Sequence, residues 1–242
     1  MARIELRDAV IKIKDGLAGT ALINESMAMS GDTDLTIDTV SLNTTDTDLV
    51  PVGARFTVQG ETASTTVHTV TQRTGNPVTN IVFTPALTAG TYSNNNVLTF
   101  TSQEVEIKVG DGDVTYTESN EYNYDLDRGD LDTVREGNQV PMDVSFDIVY
   151  EHITTGTNET ISPMDALKRK GGATEWVSSA SDLCEPYAVD VEVTHASPCG
   201  TSQDETTTFP DFRSESREIS FADSVISVSG RCNAVEPIVA RS

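Results

Sequence analysis

Residues 126–150, LDRGDLDTVREGNQVPMDVSFDIVY, decide the fold class of this chain. Near the end of the stretch, Asp143, Ser145 and Asp147 alternate with apolar residues. Successive side chains of a strand point to opposite faces, so this alternation gives one acidic, polar face and one apolar face. The sequence therefore predicts a strand over residues 142–153, in an antiparallel sheet with one buried and one hydrated face.

A second alternating run, residues 114–126, precedes this strand. Glu121 and Asp125 lie on its polar face, and Tyr124 lies on the other. We expect the two runs to pair as a long antiparallel hairpin, joined by a charged loop over residues 127–140. Such a hairpin leaves unpaired edges that invite pairing with another chain, and a closed ring of subunits would remove those edges.

The rest of the chain is typical of an all-β protein. Thr, Ser, Val, Asp and Asn dominate, and turn residues recur at short intervals. The predicted strands are 8–14, 55–59, 65–72, 80–84, 97–101, 104–109, 114–126, 142–153, 187–194, 205–210 and 225–230.

One helix is well marked. Ser162 is a suitable N-cap, Pro163 fits the first helical position, and Asp165 occupies the capping-box position. The basic residues 168–170 suit the carboxyl end of the helix dipole, and Gly171-Gly172 ends the helix.

Residues 31–101 form a separate stretch, rich in Thr, Asn and Asp, with its own turn residues. Similar strands that end in an Asp/Gly turn flank it at 10–16 and 105–112. We predict that 31–101 is a small β-barrel or sandwich inserted into a larger β domain, formed by 1–30 and 102–242. A long loop region is the alternative, although loops of this length are uncommon in compact domains.

The charge of the chain excludes nucleic-acid binding by its surface. There are 38 acidic and 16 basic residues in 242, with a formal net charge of −22. Contacts to phosphate need clustered Lys and Arg, so this surface repels nucleic acid.

No apolar run approaches the roughly 20 residues of a membrane helix, and the first residues lack the apolar stretch of a signal peptide. We expect a protein that stays in the cytoplasm or leaves it by lysis or assembly.

Residues that carry catalysis are sparse. His68, His152 and His195 have no metal-ligand spacing, and no Cys-x-x-Cys, Gly-x-Ser-x-Gly or phosphate-binding loop occurs. A site of His195 with Cys199 is conceivable, but a structural or solvated role is favoured. We predict that the chain is not an enzyme and has no cofactor.

Acidic clusters and cysteines leave alternatives open. One acidic cluster consists of Asp32, Asp34 and Asp38, and the other of Asp111, Asp113 and Glu118. Neither cluster matches an EF-hand loop. A β-sandwich adhesin or surface-layer module with calcium in such loops is the alternative function, although we predict no metal site.

The chain has three cysteines, which are Cys184, Cys199 and Cys232. They allow either one disulfide and a free thiol or three free thiols.

The stretch DLDRGDLDTVREGNQVPMDVSFDI, residues 125–148, resembles the central hairpin of bacteriophage tail tube proteins. The helix over 162–170 fits this family too. Three later stretches also fit, and they are CEPYAVDVEV at 184–193, ETTTFPDFR at 205–213 and ISVSG at 226–230. The resemblance covers about residues 104–234 and the first 25 residues, and the stretch 31–101 departs from the simplest tube proteins.

The resemblance implies a tail-tube-type β-sandwich with one flanking α-helix, which contributes hairpins to a β-barrel shared between subunits. It implies a homo-oligomer of hexameric rings stacked into a tube in the virion tail, assembled in the host cytoplasm. The implied partners are a tape measure protein and, in a contractile tail, a sheath protein. DNA would pass through an acidic lumen without specific binding, and the insert 31–101 would lie on the outer wall.

The same resemblance implies positions for two groups of residues. Those that face the lumen would be Glu121, Asp125, Asp143, Ser145 and Asp147. Asp143 and Asp147 would then pair with no basic residue. Those at the contact between rings would be Asp127, Arg128, Asp130, Asp132, Arg135 and Glu136. Their mixed charges would set the register of stacked rings rather than supply affinity.

Overall fold

The structure is a computed structural model. It describes residues 9–25, 30–43, 50–63, 66–75, 77–107, 113–128, 130–149, 161–180, 182, 184–195 and 204–241. The fold is all-β, as predicted, with a single α-helix among these residues. The chain splits into two compact units. The first consists of Met1–Ile13, Glu106–Pro163 and Ala188–Ser242. The second consists of Lys14–Val105 and Met164–Tyr187.

The strands, in chain order, are β1 (Ala9–Lys14), β2 (Gly19–Ile23), β3 (Asp34–Leu42), β4 (Arg55–Val58), β5 (His68–Gly75), β6 (Val78–Thr84), β7 (Val97–Thr101), β8 (Glu104–Ile107), β9 (Val114–Thr117), β10 (Asn120–Asp127), β11 (Asp130–Gln139), β12 (Asp143–Val149), β13 (Val189–His195), β14 (Glu205–Ser220), β15 (Val225–Cys232) and β16 (Ile238–Arg241). Every predicted strand has a counterpart here. The strands that the sequence did not predict are β2, β3, β11 and β16.

The predicted helix is present as α1, over Pro163–Lys168. Ala166 and Leu167 are its buried residues. It ends two residues before the predicted end, where Arg169 adopts a left-handed conformation with a φ of 51°. A short 3-10 turn follows at Gly171–Ala173.

An open sheet has the strand order β8-β1-β13-β14-β15-β12-β9, and β16 pairs with β14. In β12, Val144, Phe146 and Ile148 are buried and alternate with more exposed polar residues. The alternation predicted for this strand is therefore confirmed. Two buried residues of β15, Val228 and Ile226, lie opposite Phe146 and Ile148, so the apolar face continues across the strands.

The predicted loop over residues 127–140 is wrong, because most of it is the strand β11. The predicted long hairpin is nonetheless present, in two halves. β9 pairs with β12, with Thr117 opposite Asp143, and β10 pairs with β11, with Asp127 opposite Asp130. A tight turn closes it, and Arg128 has the left-handed φ of 52° that two-residue hairpin turns need.

Six strands close a barrel in the order β2-β3-β6-β5-β4-β7. Its core includes the buried residues Ala21, Ile23, Leu35, Phe56, Phe83 and Leu98. The barrel takes in β2, which lies outside the predicted insert 31–101. The predicted boundary is wrong because β2 pairs with both β3 and β7 and so completes the barrel wall.

The segment Met164–Tyr187 belongs to the same compact unit as the barrel, which the sequence did not indicate. The buried Asp15 carboxylate accepts the backbone N–H of Val177 at 3.3 Å and that of Gln103 at 2.7 Å. Arg73 and Glu175 form an ion pair with 2.7 Å between Nη1 and Oε2. Val177 is itself part of the barrel core.

Candidate assembly surface

The hairpin of β10 and β11 is a two-stranded sheet of its own. Every residue of β10 is exposed. Because residues opposite each other in an antiparallel pair share a face, the register divides the hairpin into two faces of different chemistry.

One face is apolar. Tyr124 lies opposite Val134, and Leu126 lies opposite Leu131. Tyr122 shares this face because it is two residues from Tyr124. We call these five residues the apolar hairpin face, and each of them is between 49% and 71% exposed. Exposed apolar side chains grouped in this way mark an interaction surface.

The opposite face is acidic. It carries Glu121 and Asp125, as predicted for the polar side of this run, and we call it the acidic hairpin face. The Asp125 carboxylate accepts a hydrogen bond from the Thr133 hydroxyl at 3.2 Å and lies 3.3 Å from Nε of Arg135. Glu121 accepts the backbone N–H of Asn138 at 3.2 Å. The two carboxylates are thus held by contacts within the hairpin.

A second polar surface lies on β12, with Asp143, Ser145 and Asp147, and we call it the polar sheet face. The Ser145 and Thr115 hydroxyl oxygens lie 2.7 Å apart. The Asp147 carboxylate accepts the Ser227 hydroxyl at 2.6 Å. A hydroxyl group of the neighbouring strand β15 therefore contacts Asp147, one of the carboxylates predicted to face the lumen.

The prediction that Asp143 pairs with no basic residue is wrong. Arg231 lies directly opposite Asp143 in β15, and its Nε donates to the Asp143 carboxylate at 2.9 Å. Opposite charges that meet in this register share a face of the sheet. The hydrogen bond to Asp143, with the negative charges of Glu215 and Asp143, raises the pKa of Arg231.

The residues predicted for the contact between rings all lie in the hairpin. Exposed ones are Asp127, Arg128, Asp132, Arg135 and Glu136. The backbone of Asp130 pairs with that of Asp127, and its side chain lies outside the described residues. Arg135 contacts Asp125 of its own chain. A contact between rings stays a prediction.

A polar pair that the sequence did not predict lies inside the barrel. The side chains of His68 and Glu61 are fully buried, with Nε2 of the histidine 3.1 Å from Oε2 of the glutamate. The only signal was a lone histidine in a strand of Thr and Val, which gave no partner. The pair lies among aromatic rings, with Phe56 and Phe83 centroids 5.3 Å and 5.2 Å from that of His68.

Among the described residues, the other candidates for chemistry show no arranged site. Within the described ranges, no group of three or more His, Cys, Asp or Glu could hold a metal ion. Cys184 is an exposed free thiol and Cys232 a buried one. Candidates outside the described residues are Asp111, His152 and Cys199.

Two further findings bear on function. In the part of the chain that the structure describes, no helix has the length and apolar character needed to cross a membrane. Comparison with known proteins assigns no family, because the chain matches no protein-family model, no curated protein and no solved structure.

Proposed function

We propose that this chain is the structural subunit of a phage tail tube, which assembles into stacked rings and forms a conduit for DNA with an acidic lumen. One observation carries the proposal: the exposed β10–β11 hairpin has an apolar face on one side and an acidic face on the other. A subunit that has to bind its neighbours and also present carboxylates to a channel needs both faces.

The apolar hairpin face favours association. A two-stranded hairpin is at best marginally stable in water by itself. Full burial of a Val or Leu side chain contributes about 1.5–3 kcal/mol, so covering a half-exposed one contributes about 1 kcal/mol. Covering all five residues of this face would therefore stabilise the hairpin by about 5 kcal/mol, before the costs of association.

A second copy of the chain is the partner that fits the hairpin edges. In the two-stranded sheet, β10 and β11 pair with each other, so each strand presents one edge. Strand edges pair readily with strands of other chains. Hairpins from successive copies, paired edge to edge, would close into a barrel without free edges, in the head-to-tail manner that generates rings.

The polar surfaces suit a channel for DNA. Four carboxylates, those of Glu121, Asp125, Asp143 and Asp147, would be repeated around each ring. Carboxylates repel phosphate and release no counterions to it. Two basic residues on these surfaces, Arg135 and Arg231, are held by ion pairs with Asp125 and Asp143.

Electron microscopy of the purified full chain, with sedimentation velocity at several concentrations, tests the proposal. We expect rings or tubes from the unaltered chain. The double substitution Tyr124→Ser with Val134→Ser removes one cross-strand apolar pair and should give monomers with an unchanged far-ultraviolet circular dichroism spectrum. The matched control is Val52→Ser, at an exposed apolar residue of the barrel unit, and it should assemble normally.

Two results would overturn the proposal. One is an unaltered chain that stays monomeric at every concentration, and the other is a double variant that assembles as well as the control. A monomer with a melting temperature that rises on addition of calcium would instead favour the adhesin or surface-layer function.

A further inference from the structure

The buried pair in the barrel holds one shared proton. Nδ1 of His68 lies 2.7 Å from the carbonyl oxygen of Pro85, and Nε2 lies 3.1 Å from Oε2 of Glu61. A carbonyl oxygen can only accept, so Nδ1 carries a hydrogen. The contact between Nε2 and Oε2 then needs one proton, carried by the ring or by the carboxyl group.

The other oxygen of the carboxyl group binds a neighbouring segment. Oε1 of Glu61 accepts both the backbone N–H and the hydroxyl of Thr88, each at 2.8 Å. The Tyr92 hydroxyl donates to the carbonyl oxygen of Thr88 at 2.7 Å. Among the described residues around the pair, Tyr92 is the further titratable group that faces Glu61, and Phe56 and Phe83 cover the ring of His68.

Residues 85–92 contain little regular secondary structure, yet they help to complete the barrel core. Leu87 is buried within that core. Beyond Thr88, the backbone is held by two contacts with the turn that carries Glu61. The Thr62 N–H donates to the carbonyl of Ala89, and the Thr91 N–H donates to the carbonyl of Gly60, each at 2.8 Å.

We propose that Glu61 and His68 form a proton-operated latch that holds residues 85–92 against the barrel. With Glu61 ionised, its two oxygens bind Thr88 and His68 at the same time. Addition of a proton to Glu61 removes the negative charge that strengthens its hydrogen bonds to Thr88 and His68, and hydrogen bonds to a charged group contribute more than those to a neutral one. Residues 85–92 then separate from the barrel before the strands do.

The latch is closed at neutral pH and opens in acid. Burial raises the pKa of Glu61, but the hydrogen bonds from the Thr88 N–H, His68 and the Thr88 hydroxyl outweigh burial and bring the pKa below its ordinary value of 4.5. A carboxyl group with a folded-state pKa below its unfolded value stabilises the fold above the unfolded value. That contribution is lost as the pH falls through the folded value.

Hydrogen exchange of the full chain at pH 7 tests the latch, with Glu61→Gln to imitate the uncharged carboxyl. The amides of Thr62, Thr88 and Thr91 should lose protection by about tenfold to a hundredfold, since hydrogen bonds to charged groups contribute that much to local stability. The amides of Val70 and Phe83, which donate to Ala54 and Thr33 in the same barrel, should keep theirs.

The control is Glu104→Gln, the same chemical change at a partly exposed ion pair with Arg55. It should leave all these amides protected. If Glu61→Gln does not fold, hydrogen exchange of the unaltered chain at several pH values from 6 to 3 tests the latch. As the pH falls, the amides of Thr62, Thr88 and Thr91 should lose protection before those of Val70 and Phe83. The latch is overturned if Glu61→Gln leaves the threonine amides protected, or if all the barrel amides of the unaltered chain lose protection at one pH.

Discussion

Substitution of Asp15 by Asn is expected to weaken the barrel unit strongly. The Asp15 carboxylate is fully buried. Its Oδ1 accepts the N–H of Leu17 at 3.2 Å and that of Gln103 at 2.7 Å, and its Oδ2 accepts the N–H of Val177 at 3.3 Å. One side chain therefore joins the start of the barrel, its end and the segment after α1.

The magnitude follows from what Asn can and cannot do in this position. The remaining amide oxygen can still accept from Leu17 and Gln103, although without the negative charge that strengthens both bonds. The new NH₂ group would point at the N–H of Val177, so that two donors face each other. A buried donor without a partner costs about 1–3 kcal/mol, and with two weakened bonds we expect a loss of roughly 2–4 kcal/mol in the free energy of unfolding.

Urea denaturation followed by tryptophan fluorescence measures this loss. Trp176 is the single tryptophan of the chain and is fully buried in the same compact unit as Asp15, so its emission reports on that unit. The control is Asp34→Asn, the same change at an exposed position, which should leave the midpoint unaltered. Equal midpoints for the two variants would refute the role given to Asp15.

Three further predictions concern other parts of the molecule. In the proposed tubes, Asp143→Lys with Asp147→Lys should leave assembly normal but cause DNA to be retained in a low-salt filter-binding assay, and tubes of this variant that bind no DNA would contradict the proposed acidic lumen. Burial, with a smaller contribution from the charges of nearby Asp residues, raises the pKa of the Cys232 thiol to about 12. Iodoacetamide at pH 8 should therefore modify Cys184 and spare Cys232 until urea unfolds the chain. Equal modification of both thiols in the folded chain would be the opposing result. Deletion of residues 31–101 should give insoluble protein, because it leaves the apolar side chains of β2 without a barrel. A soluble product that assembles into tubes would show that β2 does not depend on the barrel.

Local patterns made parts of the fold predictable. The strand β12 is predictable because its apolar and polar residues alternate without interruption, and that alternation needs no knowledge of partners. In contrast, the sequence of β11 predicts a loop, because charged residues fill it. The signal that could have found it is Gly129, next to Arg128 between two runs of similar length, since a two-residue turn with Gly is typical of hairpins.

Contacts between distant residues could not be predicted in the same way. Asp143 and Arg231 are 88 residues apart, and they meet only because of the register between β12 and β15. The buried pair of Glu61 and His68 depends likewise on how the barrel closes. The strand β3 carries a local signal, in the alternation of Leu35 and Ile37 with polar residues, but its Asp- and Thr-rich composition does not distinguish it from the rest of the insert.

The negative charge of the chain opposes the proposed assembly and the apolar hairpin face favours it. Arg135, which contacts Asp125 on the acidic hairpin face, reduces the repulsion. Copies with a net charge of −22 repel one another, whereas the apolar hairpin face favours contact. Arg135 offsets the charge of Asp125 within the hairpin, so Arg135→Glu should increase repulsion between neighbouring hairpins without altering the subunit core. The screening length shortens from about 30 Å at 0.01 M salt to about 3 Å at 1 M. Tube growth of this variant, followed by light scattering, should therefore be slow at low salt and recover at high salt, with an unchanged melting temperature of the subunit. Slow growth that salt does not restore would mean that Arg135 acts through the hairpin fold, and the charge argument would be abandoned.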